Sequence, residues 1–155
     1  MSQFRVLPLF SLIALACLAA QSGSAAPAVP ITVELEGSPV ERLRNFGSCR
    51  GCDLRGVDLK GAHLIGVDLR NADLRGASLE DANFEGADFS GARLQGANLK
   101  GATLSNADLT ETDLRLADLS GAVVINAYAP GVQTQGMQFA GADLTGSHLI
   151  YGGGP

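Results

Sequence analysis

The chain is poor in the residues that most chemistry needs. It has no Trp, only 5% aromatics and only 17% charged residues. Two His and three Cys leave little material for a metal centre, and no cofactor motif is present. Six Pro exclude a collagen-like chain despite 20 Gly. The low charge beside 46% hydrophobic residues excludes disorder driven by self-repulsion. A net charge of −5 argues against an ordinary nucleic-acid binder. At 155 residues there is room for one domain.

The N-terminus reads as an address. One positive charge, Arg5, precedes an apolar run over residues 6–20 that only Pro8 and Ser11 interrupt. Small residues at Gly23-Ser24-Ala25 and Ala26-Pro27-Ala28 suit cleavage near 25 or 28, so 1–28 is predicted to be a signal peptide. The run is too short and weak for a good membrane span. Ala14-Leu15-Ala16-Cys17 resembles a degenerate lipobox, which leaves a lipid anchor through Cys17 as an alternative. Either route takes the chain out of the cytoplasm, to a periplasm, a thylakoid lumen or the outside. Residues 29–155 carry 10 Lys and Arg against 16 Asp and Glu.

What is abundant is a five-residue period. A central residue, nearly always large and apolar, recurs at every fifth position from Leu54 to Leu149, 20 in all: 14 Leu, three Phe, and Val124, Ala129 and Thr134. Two residues before each such centre is a small residue, Ala in 13 cases. Two residues after it is Gly in 13 cases and Asn at Asn71, Asn106 and Asn126. The period matches neither the 3.6 residues of a helical turn nor the two-residue alternation of a strand. Gly and Asn suit a positive φ, as at the third position of a type II turn. The small residue and the centre, two apart, point the same way. Each repeat is therefore a short extended side followed by a corner, and four corners close a square coil of 20 residues. At a spacing of about 4.8 Å, about five coils make a rod roughly 24 Å long, packed inside by Leu, Phe and Ala. The predicted fold is all-β.

These motifs, such as Ala72-Asp73-Leu74 and Ala97-Asn98-Leu99, resemble the pentapeptide-repeat family, A(D/N)LXX, over about residues 49–149. The resemblance implies a right-handed quadrilateral β-helix with a helical N-terminal cap. It also implies that some relatives mimic duplex DNA and protect gyrase. Arg55, Arg75, Arg93 and Arg115 interrupt the acidic field such mimicry needs, and export separates the chain from that target.

The predicted organisation is a cap over 29–48, β-helix over 49–151 and a Gly-rich tail over 152–155. Ser38-Pro39-Val40-Glu41 reads as a capping box, with a helix from about Pro39 to Asn45 that presents Val40, Leu43 and Phe46 to the first coil. Residues 31–35 read as a short strand. The register survives across the degenerate repeats around Ala129-Pro130 and Gln133-Thr134, but this coil is expected to bulge or open into a loop. No strong cap follows Leu149, and an uncapped edge invites a homodimer through the C-terminal end.

Cys49 and Cys52 flank a predicted corner within disulfide reach, and in an exported protein a structural disulfide is the expectation. Asp68, Asp88 and Asp108 fall in one column and form the candidate interaction stripe for a protein partner. His63 and His148 lack a nucleophile and an orienting acid, so no catalytic residue is assigned. The reading is an exported non-enzymatic scaffold with an unknown protein partner, no nucleic acid and no membrane span.

Overall fold

The computed structural model describes residues 37–151. Backbone contacts divide the chain into 1–34 and 35–155, and the described residues belong to the second unit. The signal peptide, Cys17, the strand over 31–35 and the tail 152–155 lie outside them.

Helix α1 spans Pro39–Phe46. Ser38 Oγ accepts the Glu41 N–H at 3.3 Å, and Glu41 Oε2 accepts the Ser38 N–H at 2.8 Å. This reciprocal box satisfies two of the donors that a helix start leaves open. Gly47, at φ 62°, ends the helix and donates to the Leu43 carbonyl at 3.0 Å. Leu43 is buried against the first coil and Val40 packs partly on it. Phe46 does not join them: it is 65% exposed. Phe46 is the last helical residue, directly before the left-handed Gly47 at which the chain leaves the helix.

From Ser48 onward the chain repeats. Sixteen parallel bridges link residue i to residue i+20, four in each of four columns. Each column therefore has five rungs: Ser48 to Tyr128, Asp53 to Gln133, Asp58 to Gln138 and His63 to Asp143. A register of 20 residues with four columns is a four-sided coil. Each side contributes a single bridged residue, because the next corner arrives before a longer ladder can form. Leu99 shows the wiring. Its N–H donates up to Asp118 O at 2.8 Å, the Asn98 N–H donates down to Ala77 O at 2.9 Å, and the Ala102 N–H closes the corner on Leu99 O at 3.0 Å. The corner residue two after each centre sits near φ +60°, at Gly in most corners and at Asn71, Asn106 and Asn126 in others.

The centres and the small residues make one continuous buried core from Leu43 to Leu149. Phe84 and Phe89, neighbours within one coil, meet edge to face with centroids 5.2 Å apart. Thr112 takes the place of an Ala, and its buried hydroxyl donates to Phe89 O at 2.9 Å.

The degenerate repeats neither bulge nor open. Glu111 donates to Pro130 O and Leu114 to Gln133 O, both at 2.8 Å, so the register holds. The backbone wiring needs a positive φ at Gly131 and Gly136, which these repeats keep, rather than a Leu at the centre. Inward packing fails in the next repeat: Phe139, a centre with no rung above it, is 53% exposed, while Leu144, which also has none, stays buried. A short 3-10 turn, His148–Tyr151, follows, with Leu149 buried.

Candidate interaction surface

The residue before each centre points outward from its bridge, and an Asp or Asn there closes on its own chain. The Oδ1 atom accepts the N–H two residues later: Asp58 from Lys60 at 3.1 Å, Asn83 from Glu85 at 3.0 Å, Asn98 from Lys100 at 3.2 Å. This is an Asx turn, and it gives the side chain a structural task at the entry of each corner.

Asp68, Asp88 and Asp108 are stacked on consecutive rungs of one column. Each caps its own corner, by accepting from Arg70 N at 3.1 Å, Ser90 N at 2.9 Å and Thr110 N at 2.9 Å. Their charges are not equally available. Arg70 grips Asp68 through Nε at 2.9 Å and Nη2 at 2.6 Å, and its Nε also lies 3.5 Å from Asp88. The Arg70 hydrogen bond holds the Asp68 carboxyl below the usual carboxylate range. The Ser90 and Thr110 hydroxyls donate to Asp88 and Asp108. Ser48 and Tyr128 end the column, and Tyr128 packs edge-on against His148 at 5.6 Å.

The next column repeats the Asp–Arg grip. Arg55, Arg75 and Arg115 hold Asp53, Asp73 and Asp113 through Nε and Nη2 at 2.5–2.9 Å. These arginine hydrogen bonds lower all three carboxyls, that of Asp53 to about 2. Arg93 replaces the acid on the third rung, with Nη1 3.7 Å from Asp73, while Gln95 Nε2 donates to Asp113. Such pairs on a solvated side are screened by water and salt and add little to stability.

Cys49 and Cys52 are bonded across the first corner, with Cα atoms 5.3 Å apart. Among the described residues no group of three or more His, Cys, Asp or Glu gathers to hold a metal ion, and no helix is long and apolar enough to cross a membrane.

The family described as pentapeptide repeats matches residues 52–91 and 87–124, in eight copies. A solved pentapeptide repeat protein from Nostoc PCC 7120 is 30% identical at a TM-score of 0.60, over 65% of this chain and 92% of its own. This chain belongs to the pentapeptide repeat family. A pentapeptide repeat protein from the Arabidopsis thaliana thylakoid lumen is 38% identical over 63% of this chain, at a TM-score of 0.42. This chain spans 65% of that protein's length. QnrB1, a plasmid-mediated fluoroquinolone resistance protein, shares the fold at a TM-score of 0.55 and 18% identity. None of the curated proteins matches the sequence.

Within the pentapeptide frame, two residues depart from their columns: Arg93, already noted as a break in the acidic field, and Leu116, which the repeat pattern alone did not flag. Arg93 occupies an Asp or Asn position. Leu116 occupies a Gly or Asn position, at φ 60°, and is 70% exposed. The signal for both was a change of residue type in a column whose register is unbroken.

Proposed function

We propose that this pentapeptide repeat protein is an exported, non-enzymatic scaffold that presents charged ladders to a protein partner. The observation that carries the reading is that outward side chains run in unbroken columns along flat sides, and most polar groups there pair locally instead of converging on a cleft. The architecture is a right-handed quadrilateral β-helix of about five coils over 49–151, closed at its start by the cap over 29–48. Residues 1–28 are a leader cleaved near 25 or 28, and Cys17 gives a lipid anchor only if cleavage falls there. The Cys49–Cys52 bond serves as a staple for the first corner in an oxidising compartment. No nucleic acid is bound. The open C-terminal end, with Phe139 exposed, suits association of two copies.

Asp88 and Asp108 are the working part of the stripe, because Arg70 already engages Asp68 most closely. Mimicry of duplex DNA is disfavoured by one corner edge that carries Arg55, Arg75 and Arg115 with no acid. The test is affinity capture from an envelope extract with the purified protein, beside mass spectrometry of its N-terminus. One partner recovered reproducibly and lost on Asp68→Ala/Asp88→Ala/Asp108→Ala supports the stripe. A partner that persists removes it, and an N-terminus at Met1 removes export by cleavage.

A further inference from the structure

Four corner edges run along the rod, and their composition differs. Three of them carry a carboxylate at a corner position: Glu80 and Asp81, Glu85, and Glu111. The fourth carries none. Its outward positions are Arg55, Arg75, Gln95, Arg115 and Gln135, so every rung projects a guanidinium or a carboxamide. The carboxylates of Asp53, Asp73 and Asp113 lie behind it and engage Nε and Nη2 of each arginine. The remaining terminal nitrogen, Nη1, of those arginines has no partner among the described residues. Arg93 adds a further, 49% exposed, cation beside the same edge.

An independent observation falls on this edge. Its turn residues are Gly56, Gly76, Gly96, Leu116 and Gly136. Leu116 adopts φ 60°, a left-handed conformation that disfavours any residue with a Cβ. Its side chain is 70% exposed and lies over Gly136, flanked by Gln95, Arg115 and Gln135. A bulky apolar residue that is both strained and solvated contributes nothing that Gly would not supply to the coil. Such an outlier points to a use outside the fold.

We propose that this edge is a docking surface for an anionic lipid bilayer, with the arginines at the headgroups and Leu116 inserted among them. The edge is an outer corner of the four-sided coil, so it can lie along a flat surface. It offers no aromatic anchor of the kind that dominates protein interfaces. Four arginines against three carboxylates leave this edge with an excess of positive charge, and with a protruding Leu it fits the two contributions that hold peripheral proteins to membranes, electrostatic attraction and shallow apolar insertion. The occupancy is independent of the acidic stripe, which lies on another side of the rod.

The test uses the full chain and vesicles of phosphatidylcholine with phosphatidylglycerol at 3:1. The apolar run over residues 6–20 can partition by itself, so the readouts are position-specific. An environment-sensitive fluorophore on Leu116→Cys is expected to shift to the blue on these vesicles. The same probe on Thr145→Cys, on the diagonally opposite edge, is expected to stay unchanged. Leu116→Gly restores the residue of the other four rungs, so it folds at least as well. It is expected to lower vesicle partitioning about tenfold, as is Arg55→Gln/Arg75→Gln/Arg115→Gln, whereas Lys60→Gln/Lys100→Gln is not. Equal shifts at both probes, or a Leu116→Gly variant that binds as tightly as the parent, overturns the proposal. So does indifference to phosphatidylglycerol, and an acidic protein would then be the occupant to seek.

Discussion

Leu99 and Phe139 hold the same place in the repeat and the same column, two rungs apart. Leu99 is fully buried, and its N–H is bonded to the rung above. Phe139 has half of its surface in water, and its N–H has no acceptor among the described residues. Both sites keep a large apolar centre and a Gly two residues after it, although Met137-Gln138 stands where the other repeat has Ala97-Asn98. Burial in a solenoid is therefore a property of the neighbouring coil and not of the repeat itself. The corner behaves in the opposite way: Gly96 and Gly141 have nearly the same φ, 64° and 71°, although one sits mid-rod and the other in the last coil. Corner conformation is local, and core stability is shared between neighbours.

The largest expected effect breaks the pair directly. Leu99→Ala should cost about 2–5 kcal/mol, because two packed coils leave the cavity little room to collapse. Phe139→Ala should cost less than about 1 kcal/mol, since the side chain it removes is half solvated already. Denaturant unfolding of both variants checks this, and equal losses would mean that something covers the C-terminal end. If corners are local, Gly96→Ala and Gly141→Ala should each cost about 1 kcal/mol, the price of a Cβ at positive φ, with no difference between mid-rod and end. A Cβ meets nothing within 4 Å at either site, so strain is the whole effect.

The smallest effect concerns the paired columns. The carboxyls of Asp53, Asp68, Asp73 and Asp113 are lowered in the folded state by arginine hydrogen bonds. Their contribution is complete above the ordinary value of 3.8 and fades as pH falls through the folded values, to about 2 for Asp53. Melting temperature should therefore be flat in these groups from pH 7 to about 4 and decline between about 4 and 2. The decline should shrink in Arg70→Gln.

Much of this was legible in the chain because the code is redundant. The centres fixed the period, Gly and Asn fixed the corners, and Ser38 with Glu41 fixed the start of the cap. What escaped depends on geometry that a period does not carry. Phe46 is apolar and three residues from Leu43, but it closes the helix directly before Gly47 and stays exposed. The Val132 to Thr134 repeat keeps the register in the sequence, but its polar centre suggested a bulge that the corner glycines on either side prevent. The acidic stripe is a true column, but the i to i+2 reach of Arg70 onto Asp68 becomes visible only once the corner folds back. Leu116 was hidden for a plainer reason: Leu is the commonest centre, and only its place in a glycine column makes it anomalous.

The 20-residue register underlies the core, the columns and both proposed surfaces, and one distance tests it. Spin labels on His63→Cys and Asp143→Cys sit at opposite ends of one column, 80 residues apart in sequence and four rungs apart in space. Dipolar spectroscopy should give one narrow distribution near 19 Å, from about 4.8 Å per rung. A broad distribution, or a separation beyond about 30 Å, would contradict the four-sided coil at a spacing set by strand pairing.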